Sequence, residues 1–266
     1  MRHTLDVDED TVRRIEAVYR TPELVAQRQA VIRRLDPQPG EHLLDIGCGP
    51  GFLAADLAGR LGSDGQVRGV DFSEPMLTMA RHTCDGLPQA TFEGAFATDL
   101  PYVNERFDAA VSAQVYEYLR DTEAALAELY RVLRPGGRAL ILDTDWQSLV
   151  WYADDQPRMD RILLAWQDHQ PHPDLPRRLS PLLRQAGFEI SVREIFPLFN
   201  TEYNTGSYSY SLIEAIRSFV PGRNGLNPSE VDDWAAEQQK LGQQGRFFFS
   251  LNRYLFLVTK PDNNNT

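Results

Sequence analysis

An aspartate followed by three glycines at alternate positions, Asp45-Ile46-Gly47-Cys48-Gly49-Pro50-Gly51, constrains this chain more than any other stretch. The short apolar run into Asp45 reads as a strand, and Phe52-Leu53-Ala54-Ala55-Asp56-Leu57-Ala58 then takes up helical spacing. Glycine admits positive φ in the connecting turn, and without a Cβ it lets a ligand lie against bare backbone. The helix that opens there adds unpaired N–H groups and partial positive charge. Any nucleotide-binding βαβ unit fits this much. The position of the acid narrows the choice. A dinucleotide site carries Gly-x-Gly-x-x-Gly with a pyrophosphate seated over the helix. A carboxylate two residues ahead of the first glycine repels a pyrophosphate and suits a cationic amino-acid group.

Val67-Arg68-Gly69-Val70-Asp71 reads as a second strand ending in an acid, about twenty residues past the glycines, where a carboxylate can accept from both hydroxyls of a ribose. The two stretches together resemble motif I and the following acid of the class I S-adenosylmethionine (SAM)-dependent methyltransferases. The resemblance implies that Asp45, Gly47, Cys48, Gly49 and Gly51 hold the methionine part of SAM and Asp71 its ribose. Phe72-Ser73-Glu74-Pro75-Met76 continues it, with Ser73 capping a helix and Phe72 or Met76 over the adenine face. Where the family commonly writes Gly-Asp-Ala, its Asp bonding the adenine amino group, this chain has Gly94-Ala95-Phe96-Ala97-Thr98-Asp99-Leu100-Pro101. Counted back from Leu100-Pro101, Phe96 stands in place of that Asp and Ala97 beside it. Stacking, backbone, Asp99 or Thr98 are left to grip the base. Tyr19, before the break at Thr21-Pro22-Glu23, is a lid residue in such enzymes or else a packing tyrosine. Arg131-Val132-Leu133-Arg134-Pro135-Gly136-Gly137 also matches the family, its glycines reversing the chain after a helix.

The third to fifth strands read as Ala90–Glu93, 106–113 and Ala139–Asp143. Ligands gather outside the carboxyl ends of such strands, which makes Gln114 a neighbour of SAM and the acceptor, with Glu117 standing behind it. Past Asp143 the motifs thin out. Trp146, Trp151 and Tyr152 follow the fifth strand, while Tyr203, Tyr208 and Tyr210 lie early in a long segment between the sixth strand, Phe188–Phe196, and the seventh, Phe247–Val258. The minimal fold joins these strands by a short hairpin, and residues 197–246 are too many for an unstructured loop. They read as a helical cap over the acceptor, the six aromatics lining its pocket. The alternative is an insertion that enlarges the core or forms a homodimer contact. Should the acceptor need to lose a proton, Asp145, His169 and His172 are the candidate bases. The prolines around the two histidines and the lack of a third ligand argue against a metal.

The expected fold is therefore α/β, a doubly wound Rossmann-like seven-stranded sheet with a helical cap between strands six and seven. Its parts are an N-terminal helical arm or lid (1–40), a SAM-binding core (41–196), the cap (197–246), a closing strand (247–260) and a tail (261–266). The 266 residues carry 42% hydrophobic and 24% charged side chains, ordinary for one globular domain. A net charge of −11 opposes a nucleic-acid partner. Two cysteines, no membrane-length apolar run and no signal-peptide core lead to a cytoplasmic expectation. The function expected from the resemblance is SAM-dependent O-, N- or C-methylation of a small, planar or apolar molecule by in-line displacement. A nicotinamide-dependent oxidoreductase shares the βαβ logic without this glycine spacing. A non-catalytic SAM-binding protein is the third class, and turnover separates it from the first.

Overall fold

The computed structural model describes residues 9–262. Most of the expected tail and the start of the expected arm lie outside them. Seven strands form one sheet: β1 (His42–Ile46), β2 (Gln66–Asp71), β3 (Ala90–Gly94), β4 (Phe107–Ala113), β5 (Leu133–Trp151), β6 (Glu189–Asn200) and β7 (Phe249–Thr259), in the order β3-β2-β1-β4-β5-β7-β6. β1 to β5 run parallel, and β7 is antiparallel to both β5 and β6. The chain winds outward from β1 in both directions, so the β1/β4 boundary is the topological switch point, with a crevice at its carboxyl end.

Alternation along the strands divides the core. Leu43 of β1 faces α2 (Pro22–Leu35) and α3 (Phe52–Leu61) in one cluster with Ile32, Leu57 and Leu61. Leu44 faces the other way, toward α5 (Thr122–Val132) and α7 (Leu175–Gln185), with Leu129 and Leu183. Each fully buried Leu or Ile contributes about 1.5–3 kcal/mol. α4 (Glu74–Thr83) packs beside α3 over β2 and β3, and α1 (Glu9–Tyr19) leads into α2.

The fifth strand does not stop at Asp143. β7 supplies backbone partners well beyond it, so β5 continues to Trp151, opposite Phe249, with a register shift between Asp145 and Val150. Thr144, Asp145, Val150 and Trp151 are therefore paired in the ladder, on either side of that shift. β6 likewise follows β7 out to Asn200. On this overhanging ribbon sit α8 (Tyr208–Phe219) and α9 (Pro228–Gln243), the helices between β6 and β7. α6 (Gln156–Trp166), from between β5 and β6, joins them, so the cap draws on two segments rather than one. Its core holds Trp151, Met159, Ile162, Ile216, Trp234 and Phe249. Among the described residues no helix is long and apolar enough to cross a membrane.

Candidate cofactor and acceptor site

The three glycines after Asp45 do different work. A Cβ on Gly51 (φ +81°) would lie 2.8 Å from the Ala80 Cα, so this glycine lets α3 and α4 approach. One on Gly47 would strike Val115 at 2.2 Å. One on Gly49 would meet only the Tyr19 side chain, its hydroxyl 3.1 Å away, so this buried backbone forms a floor beneath Tyr19. The turn is pinned from beneath by the Gly47 and Cys48 N–H groups, which donate to the Val70 carbonyl at 2.7 and 3.0 Å. Asp71, at the end of β2, accepts from Gly49 N at 3.0 Å and Ser73 N at 2.9 Å. Ser73 occupies the N-cap position of α4, but its hydroxyl makes no capping bond.

Asp45 is 2% exposed, and its Oδ2 has no partner. Burial, then the charge of Asp71, pushes its carboxyl up to about 7. Burial raises Asp71 as well, against the N–H groups it accepts. The Cys48 thiol is also pushed up by burial.

Across the crevice two large apolar side chains stand in the open. Phe72 is 74% and Phe96 65% exposed, with rings nearly parallel (10°) and centroids 6.4 Å apart. A tight turn, with Asp99 N donating to Phe96 O at 3.0 Å, presents Phe96. Met76 is half-buried on α4 and Ala97 buried behind the Phe96 turn.

At the end of β4, Gln114 holds φ +60°, costly for a residue with a Cβ and typical of positions fixed by their surroundings. Its Nε2 donates to Thr144 Oγ1 at 3.2 Å, and its side chain lies toward the Tyr208 hydroxyl. That hydroxyl accepts from Arg253 Nη2 at 2.9 Å, and Arg253 Nη1 donates to Gln27 Oε1. A polar chain thus runs from α2 through β7 to α8, and faces the Gln114–Thr144 pair at the ends of β4 and β5. Beside it Glu117, fully buried, accepts from Thr144 N at 2.6 Å and Trp146 Nε1 at 3.2 Å, and burial lifts its carboxyl to about 7. Burial, then Asp71, pushes Tyr19 up to about 12. Burial, then Glu117, raises Tyr118, which also feels Tyr208, Arg253 and Tyr19.

The other sequence candidates are dispersed. Asp145 is held by Arg177 at 2.8 and 3.1 Å, which occupies the carboxylate a base would need. His169 stacks on Trp166 at 3.9 Å, meets Trp146 edge-on at 4.7 Å, and bonds the Trp166 carbonyl through Nδ1. Burial lowers it to about 4, so the ring is neutral near pH 7. His172 has Nδ1 3.3 Å from Arg178. Trp151 is wedged between Trp234 and Phe249 in the core of the cap. Tyr152 is surface-exposed, against Asp154 and Arg246. Tyr203 meets Tyr210 and Phe247 edge-on. Of the six aromatics proposed for the acceptor pocket, Tyr208 joins the polar chain directly and Trp146 through Glu117. The other four are packing or surface residues. Sequence reasoning missed Arg253, Gln27 and Tyr118. The signal for Arg253 was available, because alternation puts it on the same face as Phe249, Leu251 and Leu255, a charge on an otherwise apolar stripe.

Residues 43–137 match the methyltransferase domain family. A demethylmenaquinone methyltransferase of Bacillus cereus is 32% identical over 203 residues, covering 76% of this chain and 72% of that protein. An O-methyltransferase of Penicillium expansum is 37% identical over 177 residues, 64% of this chain and 60% of its own. The chain spans only 41–63% of the length of that relative and three other curated ones. The crystal structure of the [4+2]-cyclase SpnF superposes with a TM-score of 0.58 at 23% identity, covering 90% of this chain and 82% of that one. With the acid-and-glycine turn, the acid at the end of β2 and the seven-stranded order all in place, the chain belongs to the class I SAM-dependent methyltransferases, in their quinone-methyltransferase-like branch.

Proposed function

We propose that this chain transfers the methyl group of SAM to a small-molecule acceptor held between the sheet ends and the cap. The observation that carries the reading is the buried, partnerless Oδ2 of Asp45 beside a floor of bare backbone at Gly49. An amino-acid ammonium is the group such a carboxylate lacks. Asp71 offers its carboxylate to the ribose hydroxyls while it keeps the Gly49 loop in place. Phe72 and Phe96 take the adenine between them. A planar ring needs about 3.5 Å on each side, and the two rings already lie nearly parallel, with centroids 6.4 Å apart. This arrangement stands in for the missing adenine-binding Asp. When bound, SAM supplies an activated sulfonium methyl, so the protein's task is alignment and exclusion of water. Tyr19 closes over the Gly49 floor from the N-terminal arm, and Gln114, Tyr208 and Tyr118 line the acceptor side.

The relatives' printed substrates, quinone precursors among them, and the net charge of −11 both favour a small acceptor over a nucleic acid. A cyclase shares the fold, so cofactor binding alone does not establish transfer. The test has two stages: calorimetric titration with SAM, S-adenosylhomocysteine and NAD, then transfer of labelled methyl from SAM to a panel of phenols, naphthols and hydroquinones. Micromolar binding of both sulfur compounds, no binding of NAD, and label in at least one acceptor are expected. Binding of NAD in preference to SAM would overturn the cofactor assignment. SAM binding without transfer to any acceptor in a broad panel would overturn the reaction.

A further inference from the structure

We infer that the acceptor carries a carboxylate and that Arg253 receives it, an inference that rests on the acceptor site lying between sheet and cap. Arg253 is fully buried, yet no carboxylate lies within 4 Å of it among the described residues. A guanidinium stays charged in any protein environment and offers five N–H donors. Two of these go to neutral oxygens, the Gln27 amide and the Tyr208 hydroxyl. The Tyr208 ring also faces the cation, 4.8 Å from its centroid. The Nε–H has no partner. Leaving a buried cation without a counter-ion is among the most costly arrangements a fold can hold. Glu117, an acid that senses its charge, spends its two oxygens on Thr144 N and Trp146 Nε1.

The location points to a ligand rather than to a structural ion pair. Arg253 lies opposite Thr144 in the β5–β7 ladder, one step beyond Asp143, level with the carboxyl ends of the parallel strands. Its neighbours on the same face are Leu251, in the cap cluster, and Leu255, in the core cluster. It therefore sits at the seam between the two, where the polar chain through Tyr208 faces Gln114. The free Nε–H and the uncommitted Nη hydrogens present a flat fork suited to bidentate contact with a carboxylate. The surroundings contributed by Tyr19, Tyr118 and Tyr208 suit a planar or apolar body attached to it.

Calorimetry on the protein saturated with S-adenosylhomocysteine tests this with matched pairs of probes: benzoate and benzamide, 2-naphthoate and 2-naphthamide, 4-phenylbutyrate and its amide. At least one carboxylate is expected to bind tenfold or more tighter than its amide, and in Arg253→Met that preference should collapse to within twofold. Equal or weaker binding of every carboxylate to the wild-type protein overturns the inference, whatever the variant does. Arg253 is buried, so wild-type data alone decide if the variant fails to fold. A folded Arg253→Met that loses more than tenfold in affinity for S-adenosylhomocysteine would assign the guanidinium to the cofactor's own carboxylate and also overturn the proposal. Failure of the wild-type protein to bind S-adenosylhomocysteine at all is a different result, and it strikes the cofactor reading.

Discussion

Under the proposed function, a single carboxyl group is expected to set how cofactor binding depends on pH. Asp45 in the folded chain titrates near 7, against an ordinary 3.8, because burial and then Asp71 oppose its charge. Its folded value lies above its unfolded one, so the folded state holds a proton that the unfolded state has released. The resulting stability is fully present below about 4 and is lost as the pH rises through about 7. Binding of an ammonium requires the carboxylate, so affinity for S-adenosylhomocysteine is expected to fall by up to about tenfold per unit as the pH drops below about 7, and to level off above it. Calorimetry between about pH 5.5 and 8.5 checks this, and Asp45→Asn should flatten the profile while weakening binding throughout. A wild-type profile with no slope would remove Asp45 from the ammonium. The glycines separate two further roles. Gly51→Ala forces a Cβ to within 2.8 Å of the Ala80 backbone at positive φ, and we expect it to cost about 2–4 kcal/mol of folding stability. Gly49→Ala should cost only about 1 kcal/mol but lower cofactor affinity at least about tenfold, since its Cβ enters the floor of the crevice. Denaturant unfolding and calorimetry on both variants separate the roles, and the reverse ordering would show that the floor has been misassigned.

At the level of elements, the overhanging ribbon of β5, β6 and β7 explains which of the aromatics pack into the cap. Trp151 lies where β5 is still paired, opposite Phe249, so its ring enters the cap's interior. Trp151→Ala is therefore expected to destabilise by about 3–5 kcal/mol, lowering the Tm, with cofactor affinity of the remaining folded protein within twofold of wild type. An unchanged Tm alongside lost methyl transfer would restore Trp151 to the acceptor pocket. The cofactor half of the fold was legible in the sequence because it is local: Asp45, the glycines and Asp71 lie close together along the chain, each at a strand end. Helices α8 and α9 announced themselves by spacing. The extension of β5 did not, because its ladder partner β7 lies about a hundred residues away, and nothing in Thr144–Trp151 distinguishes a paired strand from an aromatic loop. The role of α6 in the cap was hidden for the same reason. Its apolar face reads equally well as packing on the core. Arg253 was legible in principle, but only after β7 had been given a face.

For the whole molecule, the cap and the core share their strands. β5, β6 and β7 each continue from the core into the cap, with the β5–β7 register shifting between Asp145 and Val150, so three shared strands tie the cap to the core. The N-terminal arm is attached differently. Tyr19 stacks on Phe52 at 5.7 Å, its carbonyl accepts from Arg28 Nη1 at 2.6 Å, and Arg20 lies over the same Phe52 ring. Those ties fasten the side chain that stands over Gly49. Arg28→Met, which releases the Tyr19 carbonyl and the ion pair to Asp56, is expected to speed dissociation of S-adenosylhomocysteine at least about fivefold, from the loss of roughly 1–2 kcal/mol of charged hydrogen bonding. Stopped-flow displacement measures it, and an unchanged rate would show that α1 does not gate the crevice. Under the proposed function, a cap tied to the core by three strands makes the N-terminal arm the moving part, and so the doorway for incoming and spent cofactor. Turnover then keeps time with that door, and at saturating acceptor kcat should match the rate at which S-adenosylhomocysteine escapes past Tyr19 rather than the rate of methyl transfer.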